Sequence, residues 1–195
     1  MSLPQSLRTS ATPPELELIA SEQLVEIIPL VSMERTAFIS GAYGPLRPPN
    51  KCKVPLWMAV NLKLKKKCHI VPPDWLNADD LQALLNAETT KPTHSEVPFR
   101  YVEIAKVLLD VASEDIPSPD KIRSLLKDLR EARQAKCRSS LILINHSDVK
   151  MTNLSSMELN EVRPVFIKSM NVWTQLVRDP AADYIEEEEK DERVS

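Results

Sequence analysis

Glycine is nearly absent from this chain. Its 195 residues include only 2 glycines, Gly41 and Gly44, against 16 prolines. A phosphate-cradling loop needs several glycines to let the backbone close on an anion, so nucleotide folds of that kind are excluded. Cysteine is scarce as well: the 3 thiols, Cys52, Cys68 and Cys137, are odd in number and widely spaced. That pattern argues against a disulfide framework and for a reducing compartment. The 3 histidines, His69, His94 and His146, leave Cys68-His69 as the one close pair of soft ligands. A structural zinc takes four ligands, usually as two close pairs, so no metal site is expected. No stretch reaches the ~18 apolar residues of a membrane span. The N-terminal stretch lacks the basic start and apolar run of a secretory signal. Neither sign of charge dominates: the net charge is -3, too small to drive the chain onto nucleic acid or anionic membrane.

What is present fits a soluble globular chain, at 43% hydrophobic and 27% charged residues. A chain of this size buries roughly 70% of its extended surface, enough for a core without staples. Few glycines and many prolines suggest helices opened by prolines and joined by stiff connectors.

Residues 1–12 are polar and predicted to be disordered. Pro13-Pro14 opens a short helix with Leu16, Ile19 and Ala20 on one face. Leu24 to Ile28, stopped by Pro29, reads as a strand. So does Thr36 to Ser40, before the turn signal Gly41-Ala-Tyr-Gly44-Pro45. Cys52 to Val54 adds a third, giving a small β-rich unit over residues 24–55. From Pro55 the period turns helical, with Leu56, Val60 and Leu64 on one face, Trp57 beside them and lysines following. His69 to Val71 is a short extended piece before Pro72-Pro73. Asn77 caps a helix to about Glu88, with Asp79 and Asp80 in its first turn. Pro98 opens another through Ala112. Its stripe of Tyr101, Ile104, Ala105, Leu108 and Ala112, widened by Val102, Val107 and Leu109, faces more than one neighbour. Ser118-Pro119-Asp120 starts a helix carrying Ile122, Leu125, Leu126, Leu129 and Ala132 to about Ile144. Ser155-Ser-Met-Glu158 fits a capping box. The helix behind it runs to about Arg178, kinked before Pro164, with Val162, Val165, Phe166, Met170, Trp173 and Val177 at helical spacing. A solvated acidic stretch, Glu186 to Glu192, follows. The fold class is mainly α with a small β-rich N-terminal unit (α+β), divided as 1–12, 13–67, 68–178 and 179–195.

No motif carries chemistry. His146-Ser147-Asp148 offers the three residue types of a hydrolase. Adjacent residues do not generally converge on one point, however, and no glycine-flanked elbow presents a nucleophile. The Asp79-Asp80 pair fits a helix first turn, and Asp110, Glu114 and Asp115 a solvated helix end. No enzyme and no cofactor is expected. Two basic clusters stand out: Lys63, Lys65, Lys66 and Lys67, and a helix face with Arg123, Lys127, Arg130, Arg133, Lys136 and Arg138. Each is read as a solvated face, as a contact for acidic partner surfaces, or as a nucleic-acid-binding module. Few aromatics interleave with the charges, which weighs against the last. Trp57, Trp75 and Trp173 read as core or interface anchors.

Several strings, taken in order, resemble the Psf-two family of GINS subunits of eukaryotic DNA replication. They are Val54-Pro-Leu-Trp-Met-Ala-Val-Asn-Leu-Lys, Cys68-His-Ile-Val-Pro-Pro-Asp-Trp75-Leu, Tyr101-Val-Glu-Ile-Ala-Lys-Val-Leu-Leu-Asp110, Ile116-Pro with Lys121-Ile-Arg-Ser-Leu-Leu-Lys-Asp-Leu-Arg-Glu-Ala-Arg133, and Asn153-Leu-Ser-Ser-Met-Glu-Leu-Asn-Glu-Val-Arg-Pro164. The resemblance covers roughly Glu15 to Arg178. It implies a nuclear, non-catalytic subunit of a heterotetramer, with a helical domain and a small β-rich domain. It further implies that the tetramer joins Cdc-forty-five and the MCM motor in the replicative helicase; any DNA contact would be indirect. On this reading Leu108, Leu109, Leu125, Leu129, Phe166, Met170 and Trp173 divide between internal core and sister-subunit interface, with Trp57 and Trp75 as further anchors. Arg123, Arg130 and Arg133 would form the polar rim, since arginine forks suit carboxylates.

Overall fold

A computed structural model describes residues 10–142 and 152–177. The readings of residues 1–9, of the His146-Ser147-Asp148 triplet, of helix ends at Ile144 and Arg178, and of the acidic stretch lie outside them. The described residues form six helices and five short strands.

Helix α1 (Pro13–Ala20) starts at an extended Thr12, whose amide donates to Glu15 Oε2 at 2.7 Å. Glu15 thus satisfies the Thr12 amide, and Pro13 and Pro14 bring no backbone N–H that would need a partner. Leu16 and Ala20 face inward, whereas Ile19 is half out in solvent. Strand β1 (Leu24–Pro29) is the centre of a three-stranded antiparallel sheet, flanked by β4 (Cys52–Pro55) and β5 (Cys68–Val71). Ile27 pairs with Cys52 on one side and with Ile70 on the other. Its alternation puts Val25 and Ile27 on the buried face, as the two-residue period of a strand requires. β5 therefore belongs to the N-terminal sheet, although the sequence divide at 67/68 assigned it to the helical part. β2 (Thr36–Phe38) and β3 (Gly41–Tyr43) form a separate hairpin, shorter than the strand expected to Ser40, because the turn begins two residues earlier. Gly44 sits at φ +103, and a Cβ there would stand 3.2 Å from Arg35 Cα, so this turn requires glycine.

Helix α2 (Leu56–Leu64) is tied at its start: the Leu56 amide donates to Gln23 O and the Trp57 amide to Ser21 O. That anchoring turns Leu56, Met58 and Ala59 into the core and leaves Leu64 exposed, so the Leu56–Val60–Leu64 stripe is not the buried face. Helix α3 (Ala78–Thr90) carries the expected cap, with Asn77 Oδ1 accepting from the Asp80 amide at 2.7 Å. Helix α4 (Tyr101–Val111) begins three residues after Pro98, whose carbonyl accepts the Tyr101 amide. Every residue of α4 except Lys106 and Asp110 is at least partly buried, because it packs against α1, α2 and the next helix at once. Helix α5 (Pro119–Ile142) follows Ser118, which takes a left-handed φ of 52°. Its long contact with α3 is the main seam of the helical part. Helix α6 (Ser156–Val177) opens on the capping box: the Ser155 amide donates to Glu158 Oε2 at 2.8 Å. One continuous core joins the two parts, with Ile27, Val54 and Leu56 in the same cluster as Leu81, Leu108 and Ile122.

Candidate functional site

Among the described residues a fully satisfied buried polar centre is built around Arg133. On α5, Ile122, Leu125 and Leu129 form a buried stripe, and the next position in that 3–4 spacing is Arg133, itself fully buried. A buried guanidinium needs all five N–H groups satisfied. Nε and Nη2 fork onto the two oxygens of Glu158 at 2.6 and 2.9 Å. Nη1 meets Glu88 Oε2 at 3.2 Å and the Ser95 carbonyl at 3.0 Å, and Nη2 also reaches the Asn153 carbonyl at 2.6 Å. α3, α5, α6 and two loops thus converge on one side chain. Burial alone would raise the Glu158 carboxyl, but the Arg133 fork and the Ser155 amide hold it below its usual range. Burial would likewise raise Glu88, and the Ser95 amide, Lys136 and Arg133 bring it below. Arg133 is therefore not a rim contact; its whole donor set is spent inside the chain.

The other basic positions are mostly paired as well. Arg123 donates to the Leu109 carbonyl at 2.8 Å and to Asp120, and Arg130 meets Glu161 at 2.7 Å. Lys136 reaches Glu88 at 2.9 Å, and Lys127 lies 3.8 Å from Glu131. Lys63 leaves the lysine cluster to pair with Asp115 at 2.8 Å. Asp115 also accepts from the Ile70 amide at 2.8 Å and lies 3.0 Å from His69 Nδ1. Burial opposes its ionisation, yet Lys63, His69 and the Ile70 amide keep its carboxyl below the usual range. Asp115 is thus a clamp between sheet and helices, not a solvated helix end.

Sequence reading missed a second constellation. Cys137 Sγ lies 3.7 Å from His94 Nε2, and His94 Nδ1 lies 3.2 Å from Glu88 Oε1. Thiol, imidazole and carboxylate follow one another, but only Cys137 lines the cavity of about 220 Å³ between α5 and α6; His94 and Glu88 do not. The electrostatics oppose nucleophilic chemistry. Burial pushes the Cys137 thiol up to about 11, while burial and Arg133 lower His94, so neither member of a thiolate–imidazolium pair is favoured. Cys68 and His69 point to opposite faces of β5, buried and exposed respectively, which separates that pair. Among the described residues no group of three or more His, Cys, Asp or Glu side chains is placed to hold a metal.

The remaining sequence-derived positions sort by burial. Leu108, Leu109, Leu125 and Leu129 are buried within the chain, and Trp57 and Trp75 pack half-buried against its core. On α6 Phe166 and Met170 are only partly buried, while Val165, Val172 and Trp173 are 53%, 55% and 42% exposed. α6 is held chiefly near its start, by the Arg133 and Arg130 pairs and by Asn160, which exchanges two 2.7 Å hydrogen bonds with the Ala11 backbone. The Ser156 amide adds a bond to the Phe99 carbonyl. The helix beyond Pro164 presents an apolar stripe to the surface.

Two family models match this chain. The PSF2 N-terminal domain matches residues 12–71, and the GINS complex protein helical bundle domain matches residues 75–177. The DNA replication complex GINS protein psf2 of Schizosaccharomyces pombe is 38% identical over 178 residues, covering 91% of this chain and 97% of that protein. The Candida albicans protein PSF2 is 35% identical over 193 residues, covering 98% and 95%. Human PSF2 is 36% identical over 161 residues, covering 80% and 87%.

Proposed function

The chain belongs to the PSF2 family of GINS proteins, and from that premise we propose that it is a non-catalytic structural subunit of a four-chain GINS assembly. It acts in the nucleus, where the assembly works with Cdc-forty-five and MCM in the replicative helicase. The observation that carries this reading is the apolar stripe of α6. Val165, Phe166, Met170 and Trp173 keep helical spacing, and Val172 lies one heptad from Val165. Isolated monomers rarely expose a contiguous apolar surface of this kind, whereas obligate interfaces resemble a core cut in half. On this reading Phe166, Met170 and Trp173 anchor the contact with sister subunits. Arg123 and Arg130, half-exposed beside their own carboxylates, supply its polar rim. The Arg133 and Asp115 centres make the chain rigid enough to serve as scaffold.

The test is molar mass by light scattering. Expressed alone, the chain is expected to aggregate; co-expressed with its three sisters, it is expected in a 1:1:1:1 particle. A well-folded soluble monomer that retains no sister subunit would overturn the assignment.

A further inference from the structure

The loop into α5 carries a serine that its own fold does not use. Ser118 precedes Pro119, the first residue of α5, and Lys121 stands three residues after it. The Ser118 carbonyl accepts the Ile122 amide at 3.1 Å, so Ser118 is the residue that opens the helix. A serine in that place ordinarily turns its hydroxyl back onto the first-turn amides from an extended backbone. Ser155 does so, its Oγ accepting the Glu158 amide at 3.4 Å. Ser118, at a φ of 52°, does not: among the described residues its hydroxyl has no hydrogen-bond partner. Pro117, Ser118, Asp120 and Lys121 are exposed, in a segment held between the buried Ile116 and Ile122. Lys121 is uncommitted as well. Arg123, Lys127, Arg130, Arg133 and Lys136 of the same helix are all paired with carboxylates, whereas Lys121 has no ion pair among the described residues. Of the 16 prolines, only Pro13 and Pro119 follow a serine or threonine, and Thr12 has Glu15 where Ser118 has Lys121.

We propose that Ser118 is a phosphorylation site for a proline-directed serine kinase that selects a basic residue three positions after the acceptor. The groove of such a kinase offers no acceptor to the N–H of the residue after the serine. Proline brings no N–H there, whereas another residue would leave its own stranded. Lys121 answers an anionic group in the groove, one of the charge patterns by which kinases choose substrates. In the reaction Ser118 Oγ bonds to the γ-phosphorus of ATP as the bond from that phosphorus to the bridging oxygen breaks. ADP leaves, and the hydroxyl proton goes to the kinase's catalytic aspartate. A kinase reads its substrate extended, so the first turn of α5 opens. That releases the Ile122–Ser118 backbone bond and the exposed Arg123–Asp120 pair, each 3.1 Å long. Helix ends are where such local opening is cheapest. The product adds a charge of about −1.5 to −2 to an exposed corner and leaves the buried stripe of α5 in place. Ser118 lies apart from the α6 stripe, so the proposal stands or falls independently of the sister-subunit reading.

The test uses the full chain in whichever particle it purifies, incubated with a recombinant cyclin-dependent kinase and ATP. Tandem mass spectrometry locates the phosphate, and a synthetic peptide of residues 113–125 is the parallel substrate. Phosphate is expected on Ser118 of the folded chain, and Ser118→Ala is expected to lose it. Lys121→Glu, a change at an exposed position, is expected to lower kcat/KM for Ser118 at least tenfold, and Lys121→Arg to keep it. The proposal is overturned if Ser118 of the folded chain stays unmodified. Modification of the peptide alone would then mean that α5 withholds the serine, and modification of neither that the sequence is not recognised. It is also overturned if Lys121→Glu is phosphorylated as fast as the parent, or if Thr12 is modified as fast as Ser118, because recognition then ignores the lysine.

Discussion

Two buried charged residues have opposite consequences. Arg133 is fully buried but completely hydrogen-bonded, and its removal strands Glu158 without a cation and leaves Glu88 with Lys136 alone. Arg133→Ala is expected to cost about 3–5 kcal/mol of stability, as breaking one side of a buried pair does. Arg130→Glu, at a half-exposed pair, is expected to cost only about 1 kcal/mol of fold stability; urea midpoints of the two variants check the contrast. Glu103 is the reverse case. It is 1% exposed, among the described residues neither carboxylate oxygen has a hydrogen-bond partner within bonding geometry, and burial pushes its carboxyl up against the smaller opposing influence of its own backbone amide and Ser156. Its folded-state pKa is raised, so the protonated form is the one that folding favours. That contribution is complete below the usual carboxylate range and is lost as pH rises through the folded value. Glu103→Gln is therefore expected to match the parent near pH 4 and to be more stable by about 1–3 kcal/mol at pH 7. Thermal melts across that range decide it: a gap that does not widen with pH means Glu103 is not the titrating group. Neither residue's role was legible at its own position, because arginine and glutamate are ordinarily exposed. For Arg133 the clue was periodic, its place on the Ile122–Leu125–Leu129 stripe; its partner Glu88 lies 45 residues away.

At the scale of the element, local signals were legible and packing directions were not. The Asn77 cap and the Ser155–Glu158 box depend on residues three apart, and both formed as read. The buried face of α2 depends instead on hydrogen bonds to Gln23 and Ser21, which no periodicity within the helix reveals. β5 was read as extended, but its partner β1 lies far back in the chain, so its place in the sheet stayed hidden. α6 combines both situations. Its start and stripe followed from spacing, while the outward direction of the stripe did not: ties of the helix to the body lie at its first turns, through Glu158 and Asn160. The proposed role of that stripe gives a prediction at this scale. Val172→Glu alters a residue that is 55% exposed, so the fold of the chain should change by less than about 0.5 kcal/mol. Placed in a sister interface, the same carboxylate is desolvated, and co-purification of the sister subunits should drop at least tenfold. Unchanged recovery of the four-chain particle would move the interface off α6.

For the whole molecule, the issue is whether the two basic clusters amount to a nucleic-acid surface. Counted along the sequence, Arg123 to Arg138 is a cationic face; counted in space it is largely neutralised. Arg123 serves Leu109 and Asp120, Lys127 lies near Glu131, Arg130 serves Glu161, and Arg133 and Lys136 share Glu88. Lys63 is likewise committed to Asp115, leaving Lys65, Lys66 and Lys67 exposed at the end of α2. Each cation that neutralises a phosphate contributes roughly 0.9 to the slope of log affinity against log salt. Cations already held by carboxylates of their own chain release no phosphate counterions, so they contribute little. In the assembled particle, duplex-DNA binding measured by anisotropy over a salt series should keep its slope when Arg123 and Lys136 are both changed to alanine. Changing Lys65, Lys66 and Lys67 together should flatten it by no more than roughly 2.7. A flattening on the Arg123 and Lys136 substitutions would mean that DNA outcompetes Asp120 and Glu88 for those side chains. The basic face of α5 would then be a binding surface rather than the internal wiring that joins α5 to α3.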